Sequence, residues 1–323
     1  MSNTTVEHGS ESIQVGVDFV VPVCNEQDSI DAFMSRLDNA MRATRCVDYR
    51  VIFINDGSDD ETLDAIRQHD RTVIIDLSRN FGKEAALTAG LDYADAEVVV
   101  PIDVDLQDPP ELITEMLACW REGAEVVLAR RSDRSSDGWF KRNSAGLFYA
   151  IHNAVADPRI PNNVGDFRLM DRAVVEALRQ LPESRRFMKG LFAWAGFKTS
   201  IVDYHRDTRE SGQSKFNAWK LWNFAIEGIT SFSIAPLRIW TYLGAVTALA
   251  AFGYAGFIVI RTLFYGVDVP GYASLLVSVM FLGGIQLIGI GILGEYLGRT
   301  YIEAKRRPTY LVRRIYEKRS GPE

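Results

Sequence analysis

Two stretches of this chain admit very few folds: Ile239 to Ile260 carries no charged residue over 22 positions, and Tyr272 to Gly294 carries none over 23. Each is long enough to cross the roughly 30 Å hydrocarbon core of a bilayer as a helix. Soluble helices seldom run so far without charge, so a buried helical hairpin in a soluble protein is the weaker reading. Between the two lies Arg261 to Gly271, with Asp268, Pro270 and two glycines, which suits a turn rather than a domain. Both flanks then share one side of the membrane. Arg238 precedes the first stretch and Arg299, Lys305, Arg306 and Arg307 follow the second, against Arg261 alone in the turn. By the positive-inside rule both flanks are cytoplasmic.

The other residues must supply a separate core. With 323 residues, 47% hydrophobic and 24% charged, the chain is neither disordered nor a mini-protein. A net charge of -6 argues against a nucleic-acid binder, since such domains are usually basic. The charge is uneven: from Glu295 onward eight Lys or Arg stand against four Glu. Three cysteines, Cys24, Cys46 and Cys119, show neither CxxC nor zinc-like spacing, which fits a reducing, cytosol-facing domain. The first fifteen residues are polar and lack the apolar run of a signal peptide.

The N-terminal two thirds alternate short β-rich runs with helical patterns. The runs are 17–23, 50–55, 72–77, 97–103 and 125–130, and they read as buried parallel strands. Ile30, Phe33, Met34, Leu37 and Met41 repeat at helical period between the first two, and similar crossovers follow Asp59, Gly82 and Pro110. The expected fold is α/β, a doubly wound, mostly parallel sheet. Just before the first apolar stretch, Trp219, Trp222, Ile226, Ile229 and Phe232 recur at helical spacing near Lys215 and Lys220, as in an amphipathic helix lying in the membrane interface. An ordinary core-facing helix is the alternative.

Polar residues interrupt the apolar pattern at the C-terminal ends of four strands: Asn25 and Glu26, Asp56 and Gly57, Ser78 to Lys83, and Asp103 to Asp108. In open α/β sheets that edge binds ligands. Turn chemistry explains any one cluster, but four on one edge point to a pocket. No GxGxxG or Walker loop follows a strand, so phosphate charge has to be neutralised in another way. The segment IDVDLQDPPE, with three Asp and a Gln in six residues, supplies it. Close carboxylates raise one another's pKa unless a cation sits between them. Hard oxygen ligands, few in number, suit Mg2+ or Mn2+ completed by phosphate oxygens and water.

The motifs VVPVCNE, INDGSDDET, LSRNFGKEAALTAGLD, IDVDLQDPPE, NVGDFRLMDR and RESGQSKFN, in that order, resemble family-2 glycosyltransferases of the polyisoprenyl-phosphate type, the group of dolichol-phosphate mannosyltransferase and bactoprenol glucosyltransferase. The C-terminal EYLGRTYIEAKRRPTY is most similar to the bactoprenol type, and the resemblance spans Val17 to Tyr310. It implies that Pro22, Val23, Glu26 and Asp56 hold the nucleoside, Asp103 the nucleotide-sugar, and Asp105 with Gln107 the metal. Asp105 would thus be catalytic, and Asp166 the base or a positioning carboxylate. Cys24 stands where an aromatic residue is common, and Asn55 where many members have Asp. The resemblance further implies an inverting hexose transfer, UDP-glucose favoured, to polyisoprenyl (undecaprenyl) phosphate. The product would be a lipid-linked monosaccharide for lipopolysaccharide or other cell-envelope glycan.

A phosphate monoester acceptor is mostly dianionic at neutral pH and needs little help from a base. Two anions must instead be brought together, so cations should line the acceptor path: Arg131, Arg142 with Ser144, and Arg209, Ser214 and Lys215. Other donor sugars (mannose, galactose, N-acetylglucosamine, aminoarabinose) remain open. A processive polysaccharide synthase would need more spans and a QxxRW motif, which is absent. A membrane-tethered, non-catalytic nucleotide-sugar-binding protein is the reading from another class. The expected organisation is a polar tail (1–15), a cytoplasmic glycosyltransferase domain (16–215), amphipathic juxtamembrane helices (216–238), a two-helix transmembrane hairpin (239–294) and a basic cytoplasmic tail (295–323) in the plasma membrane, with homo-oligomerisation left open.

Overall fold

The structure, a computed structural model, describes residues 15–44, 47–131, 164–181, 183, 188–204, 235–265 and 271–317. Its elements run β1 (Val15–Val23), α1 (Ile30–Ala43), β2 (Val47–Asn55), α2 (Thr62–Arg67), β3 (Thr72–Leu77), α3 (Lys83–Tyr93) and β4 (Val98–Pro101). A 3-10 turn (Pro110–Leu112) leads into α4 (Ile113–Arg121), followed by β5 (Val126–Arg131), β6 (Val164–Asp171), α5 (Arg172–Arg179), α6 (Met188–Trp194) and β7 (Thr199–Tyr204). Two long helices, α7 (Ala235–Tyr265) and α8 (Tyr272–Ala304), precede β8 (Val312–Glu317).

The eight strands form one sheet in the order β7-β5-β6-β4-β1-β2-β3-β8. The four apolar runs β1 to β4 lie side by side in parallel, β1 between β2 and β4 and β3 beyond β2. Covered on both faces, they have no solvent side to alternate toward, which is why they read as continuous Val and Ile. On α1, Ile30, Phe33, Met34, Leu37 and Met41 are all buried, the stripe its spacing predicts. Phe19, Phe33 and Phe53 are fully buried in that core; burying each such side chain stabilises the fold by roughly 1.5–3 kcal/mol. Helix α3 sits so close to the sheet that a Cβ on Gly90 would fall 2.3 Å from Val20 Cγ1. Only glycine permits that approach.

Buried charge inside the sheet is paired. Asp18 accepts from Arg50 Nε at 2.6 Å and Nη2 at 3.0 Å, and from the backbone N–H groups of Asp95 and Ala96 at 2.8 and 3.0 Å.

Three strands lay outside the sequence expectation. β6 is antiparallel to both β4 and β5, and β7 pairs in parallel with β5. The third corrects the reading of residues 295–323 as a single tail. Helix α8 continues past Gly294 to Ala304, stabilised by a Glu295–Arg299 pair one turn apart, and Val312–Glu317 then joins β3 as an antiparallel edge strand. The compact unit that holds the sheet therefore takes in the chain from Pro308 onward. An edge strand made of VRRIYE buries little, so hydrophobic pattern could not announce it.

Helices α7 and α8 form a second unit. Their central stretches, 239–260 and 272–294, are apolar all round, and Phe252, Leu263, Leu287 and Leu297 are among many large side chains left exposed. The two helices meet where Trp240 packs on Gly289, whose missing Cβ would lie 2.0 Å from the indole nitrogen; small residues allow such close helix crossings. Among the described residues one segment, Phe281–Ala304, is long and apolar enough to cross a membrane.

Candidate active site

The ends of β1, β2 and β4 and the loop before α3 open onto a cavity of about 300 Å³. Pro22, Val23, Cys24, Glu26, Asp56, Asn80, Gly82, Lys83, Asp103 and Asp105 are among its lining residues. The loops after β1 and β2 are joined crosswise. The Asn25 N–H donates to Ser58 Oγ at 3.0 Å while Asn25 Oδ1 accepts from the Asp59 N–H at 2.9 Å. The Glu26 N–H donates to Thr62 Oγ1 at 2.9 Å, and Ser29 Oγ donates to the Glu26 carboxylate at 3.0 Å. Burial raises the Glu26 pKa against the lowering by Ser29, and Asp105 and Asp103 add to the rise.

Asp56 is buried and both its oxygens are committed to backbone. Oδ1 accepts from the Phe81 N–H at 2.6 Å and Oδ2 from the Gly82 N–H at 2.9 Å, which fixes the entry to α3. Gly57 follows with φ of 70°, and a Cβ there would fall 2.5 Å from the Asn80 backbone nitrogen. Asn55 needs both ends of its carboxamide: Nδ2 donates to buried Asp76 at 2.8 Å and Oδ1 accepts from the Ser58 N–H at 3.1 Å. An Asp at position 55 could not donate, so the departure from the family pattern is matched to Asp76.

Lys83, in the first turn of α3, is the residue the sequence reading did not single out. Its Nζ stands 2.8 Å from Asp103 Oδ2 and 2.8 Å from Asp166 Oδ2, joining the loop after β4 to strand β6. The cation expected between close carboxylates is thus partly the protein's own. Burial pulls the Lys83 pKa down, but Asp103 and Asp166 overcome it and the net shift is upward. Asp103 is crowded by protein yet keeps 37% of its side chain exposed. Its pKa is raised, burial first, with Lys83 opposing and Asp166 and Asp105 reinforcing.

The acidic loop is held in an unusual shape. Leu106 has φ of 55°, a left-handed conformation that costs a non-glycine residue roughly 1–2 kcal/mol. The Gln107 N–H donates to Asp105 Oδ1 at 3.2 Å. The Gln107 side chain is buried rather than cavity-lining, and its Nε2 has no partner among the described residues. Tyr204 donates to buried Asp108 and accepts from Arg131 Nε at 3.4 Å. Arg131 therefore sits in a β5–β7 network at the end of the acidic loop. On β6, Arg168 is buried, donates to the carbonyls of Gly165 at 2.8 Å and Asp166 at 3.3 Å, and lies 3.8 Å over the Phe192 ring. Burial lowers its pKa to about 10 despite Asp166 and Glu84. Arg168 thus buttresses the backbone that presents Asp166, a role invisible in the motif alone.

No group of three His, Cys, Asp or Glu gathers to hold a metal among the described residues. Asp103 and Asp105 facing one cavity do fit a hard divalent ion that takes its other ligands from a diphosphate and water. Arg142, Ser144, Arg209, Ser214, Lys215 and the Trp219 to Phe232 stripe lie outside the described residues.

A mostly parallel α/β sheet with an acidic cavity at its C-terminal edge defines a nucleotide-sugar transferase type of fold, and comparison with known families agrees. Residues 18–179 match glycosyl transferase family 2 and residues 235–300 match the GtrB C-terminal hairpin. The chain belongs to glycosyltransferase family 2 and is a glycosyltransferase. It is 52% identical over 303 residues to the prophage bactoprenol glucosyl transferase homolog of Escherichia coli K12, covering 93% of this chain and 99% of that one. With the bactoprenol glucosyl transferase of Shigella phage SfV the identity is 51% over 306 residues, covering 94% and 99%. Among solved structures, the glucosyl-3-phosphoglycerate synthase of Mycobacterium tuberculosis with Mn2+, UDP-glucose and phosphoglyceric acid is 18% identical, with a TM-score of 0.49, over 67% of this chain and 78% of that one.

Proposed function

We propose that the chain transfers glucose from UDP-glucose, with inversion and with a divalent metal, to a polyprenyl phosphate at the cytoplasmic face of the plasma membrane. The observation that carries this reading is the convergence of Glu26, Asp103, Asp105 and Lys83 on one cavity in a family 2 chain. Relatives named for bactoprenol glucosyl transfer, matched over nearly their whole length, support the sugar and the acceptor class. The hairpin family match supports α7 and α8 as two spans with both flanks on one side of the membrane, and the Arg and Lys residues beside them favour the cytoplasmic side.

In this reading Pro22, Val23 and Glu26 hold the nucleoside, and Asp56 serves it by fixing the loop at Phe81 and Gly82. Asp103 faces the nucleotide-sugar. Asp105, with Asp103 beside it, would hold Mg2+ or Mn2+, which when bound supplies positive charge to the leaving diphosphate. The Gln107 carboxamide, a metal ligand by resemblance, is buried away from the cavity lining and would have to turn outward to join them. Lys83, already positioned against Asp103 and Asp166, brings a second positive charge to the same region. A lipid phosphate oxygen forms the new bond to the anomeric carbon as the bond to the diphosphate oxygen breaks, and the electron pair leaves with the nucleoside diphosphate. Asp166 orients the acceptor, because a dianionic phosphate has no proton to surrender. The acceptor phosphate is assigned to Arg131, Arg142, Ser144, Arg209, Ser214 and Lys215, the cations and hydroxyls that the sequence offers for it.

The test is a donor panel with undecaprenyl phosphate and the purified full-length chain, read by the mass of the organic-extractable product. A lipid-linked hexose from UDP-glucose is expected. A polymer, or no transfer from any donor, overturns the reading.

A further inference from the structure

We infer that Arg313 is a positioning residue for the donor cavity, acting through Asp76 and the Ser78 backbone rather than by touching substrate. The inference rests on the donor reading of the cavity above. Strand β8 pairs with β3 from Val73 opposite Glu317 to Asp76 opposite Arg314, and then the register slips so that Leu77 faces Val312. Arg313 is the extra residue, a β-bulge. Bulges re-aim side chains and recur beside active sites.

The re-aimed guanidinium makes two connections. Its Nη1 lies 3.6 Å from Asp76 Oδ2 and its Nη2 donates to the Ser78 carbonyl at 2.7 Å. The Ser78 N–H donates in turn to the Leu311 carbonyl at 2.8 Å. Both backbone polar groups of Ser78 are thus held by the C-terminal segment, at the start of the loop that carries Asn80, Gly82 and Lys83 into the cavity. Through Asp76 the same guanidinium reaches the second loop. The Asp76 side chain is 4% exposed; its other oxygen accepts from Asn55 Nδ2 at 2.8 Å, and Asn55 accepts from the Ser58 N–H. Between Asn55 and Ser58 lies Asp56, which grips Phe81 and Gly82.

One cation therefore stands behind both loops of the donor cavity. A buried carboxylate left without its counter-charge is destabilised, and any turn of the Asp76 side chain toward another partner would disturb its bond to Asn55. Arginine suits the post because its fork serves two acceptors at once, whereas lysine offers a single point charge.

The experiment compares the full-length wild type with Arg313→Met, Arg313→Lys and Asp76→Asn in detergent, measuring UDP affinity and the KM values for donor and acceptor. Arg314→Met, which alters the neighbouring residue of the same strand, is the control. Arg313→Met and Asp76→Asn should each weaken UDP binding and raise donor KM about fivefold, with kcat and acceptor KM unchanged. Arg313→Lys should recover part of the loss, and Arg314→Met should match the wild type. Asp76→Asn keeps the question answerable if Arg313→Met does not fold. Unchanged donor affinity in both, or equal losses in Arg314→Met, overturns the assignment. Wild type that neither binds UDP nor transfers glucose defeats the donor reading itself, and the assignment falls with it.

Discussion

The sheet and the helical pair bury and expose their residues by opposite rules. In the sheet, apolar residues are inside and the few buried charges are matched: Asp18 with Arg50, Asp76 with Asn55 and Arg313, Asp56 with two backbone N–H groups. In α7 and α8 the large apolar side chains point outward, and Phe252 is 77% exposed. The same residue types thus do different jobs in different solvents. Water drives the sheet's core together; in the proposed membrane setting a lipid phase would leave packing such as Trp240 on Gly289 to join the helices.

The largest expected effect separates the two directly. Phe53→Ala empties a buried site packed edge-on to Phe33 and should lower unfolding stability by roughly 3–5 kcal/mol. Phe252→Ala should cost under about 1 kcal/mol by the same chemical denaturation in detergent, since no cavity forms. Equal losses would erase the contrast. Second, Asp105→Ala should reduce kcat about 100-fold, roughly 2.7 kcal/mol, with folding intact, and added Mg2+ should not restore it. Full transfer by that variant removes Asp105 from the chemistry.

A charge tests the helices from the other side. Val246→Lys, on an exposed face of α7, should cost roughly 2.5–3.5 kcal/mol of insertion, read as loss of the carbonate-resistant membrane fraction. Ile201→Lys, half-exposed on β7, should leave that fraction alone. The smallest effect belongs to Asp56→Asn, which can still accept one of two backbone hydrogen bonds. A loss of about 1 kcal/mol, seen as a several-fold rise in donor KM with an unchanged kcat, is expected.

Much of this was legible because burial writes itself into sequence. Strands β1 to β4 and the stripe on α1 are apolar wherever they are covered, and the polar residues that end those strands mark the cavity rim. The pattern failed where burial is partial or is bought by hydrogen bonds. Strand β6 carries Asp166 and Arg168 and reads as a motif; β8 is half charged and reads as a solvated tail. Residue roles were harder than residue positions. Asp56 lines the cavity, yet its oxygens are taken up by backbone, and Gln107 of the acidic loop is buried rather than part of the cavity wall. Lys83 stood in plain view in a Gly-Lys-Glu run, but only folding brings it between an aspartate 20 residues onward and another on β6.

The pairing of β3 with β8 also sets an order of events during synthesis. Strand β3 leaves the ribosome roughly 235 residues before its neighbour, which at about 5–20 residues per second is some ten to fifty seconds. In that interval α7 and α8 are made while an edge of the sheet stands open, with unpaired N–H and C=O groups available to any passing strand. The nascent catalytic unit is therefore at its most aggregation-prone while the two long apolar helices are being made, and β8, emerging after them, is the strand that closes the risk.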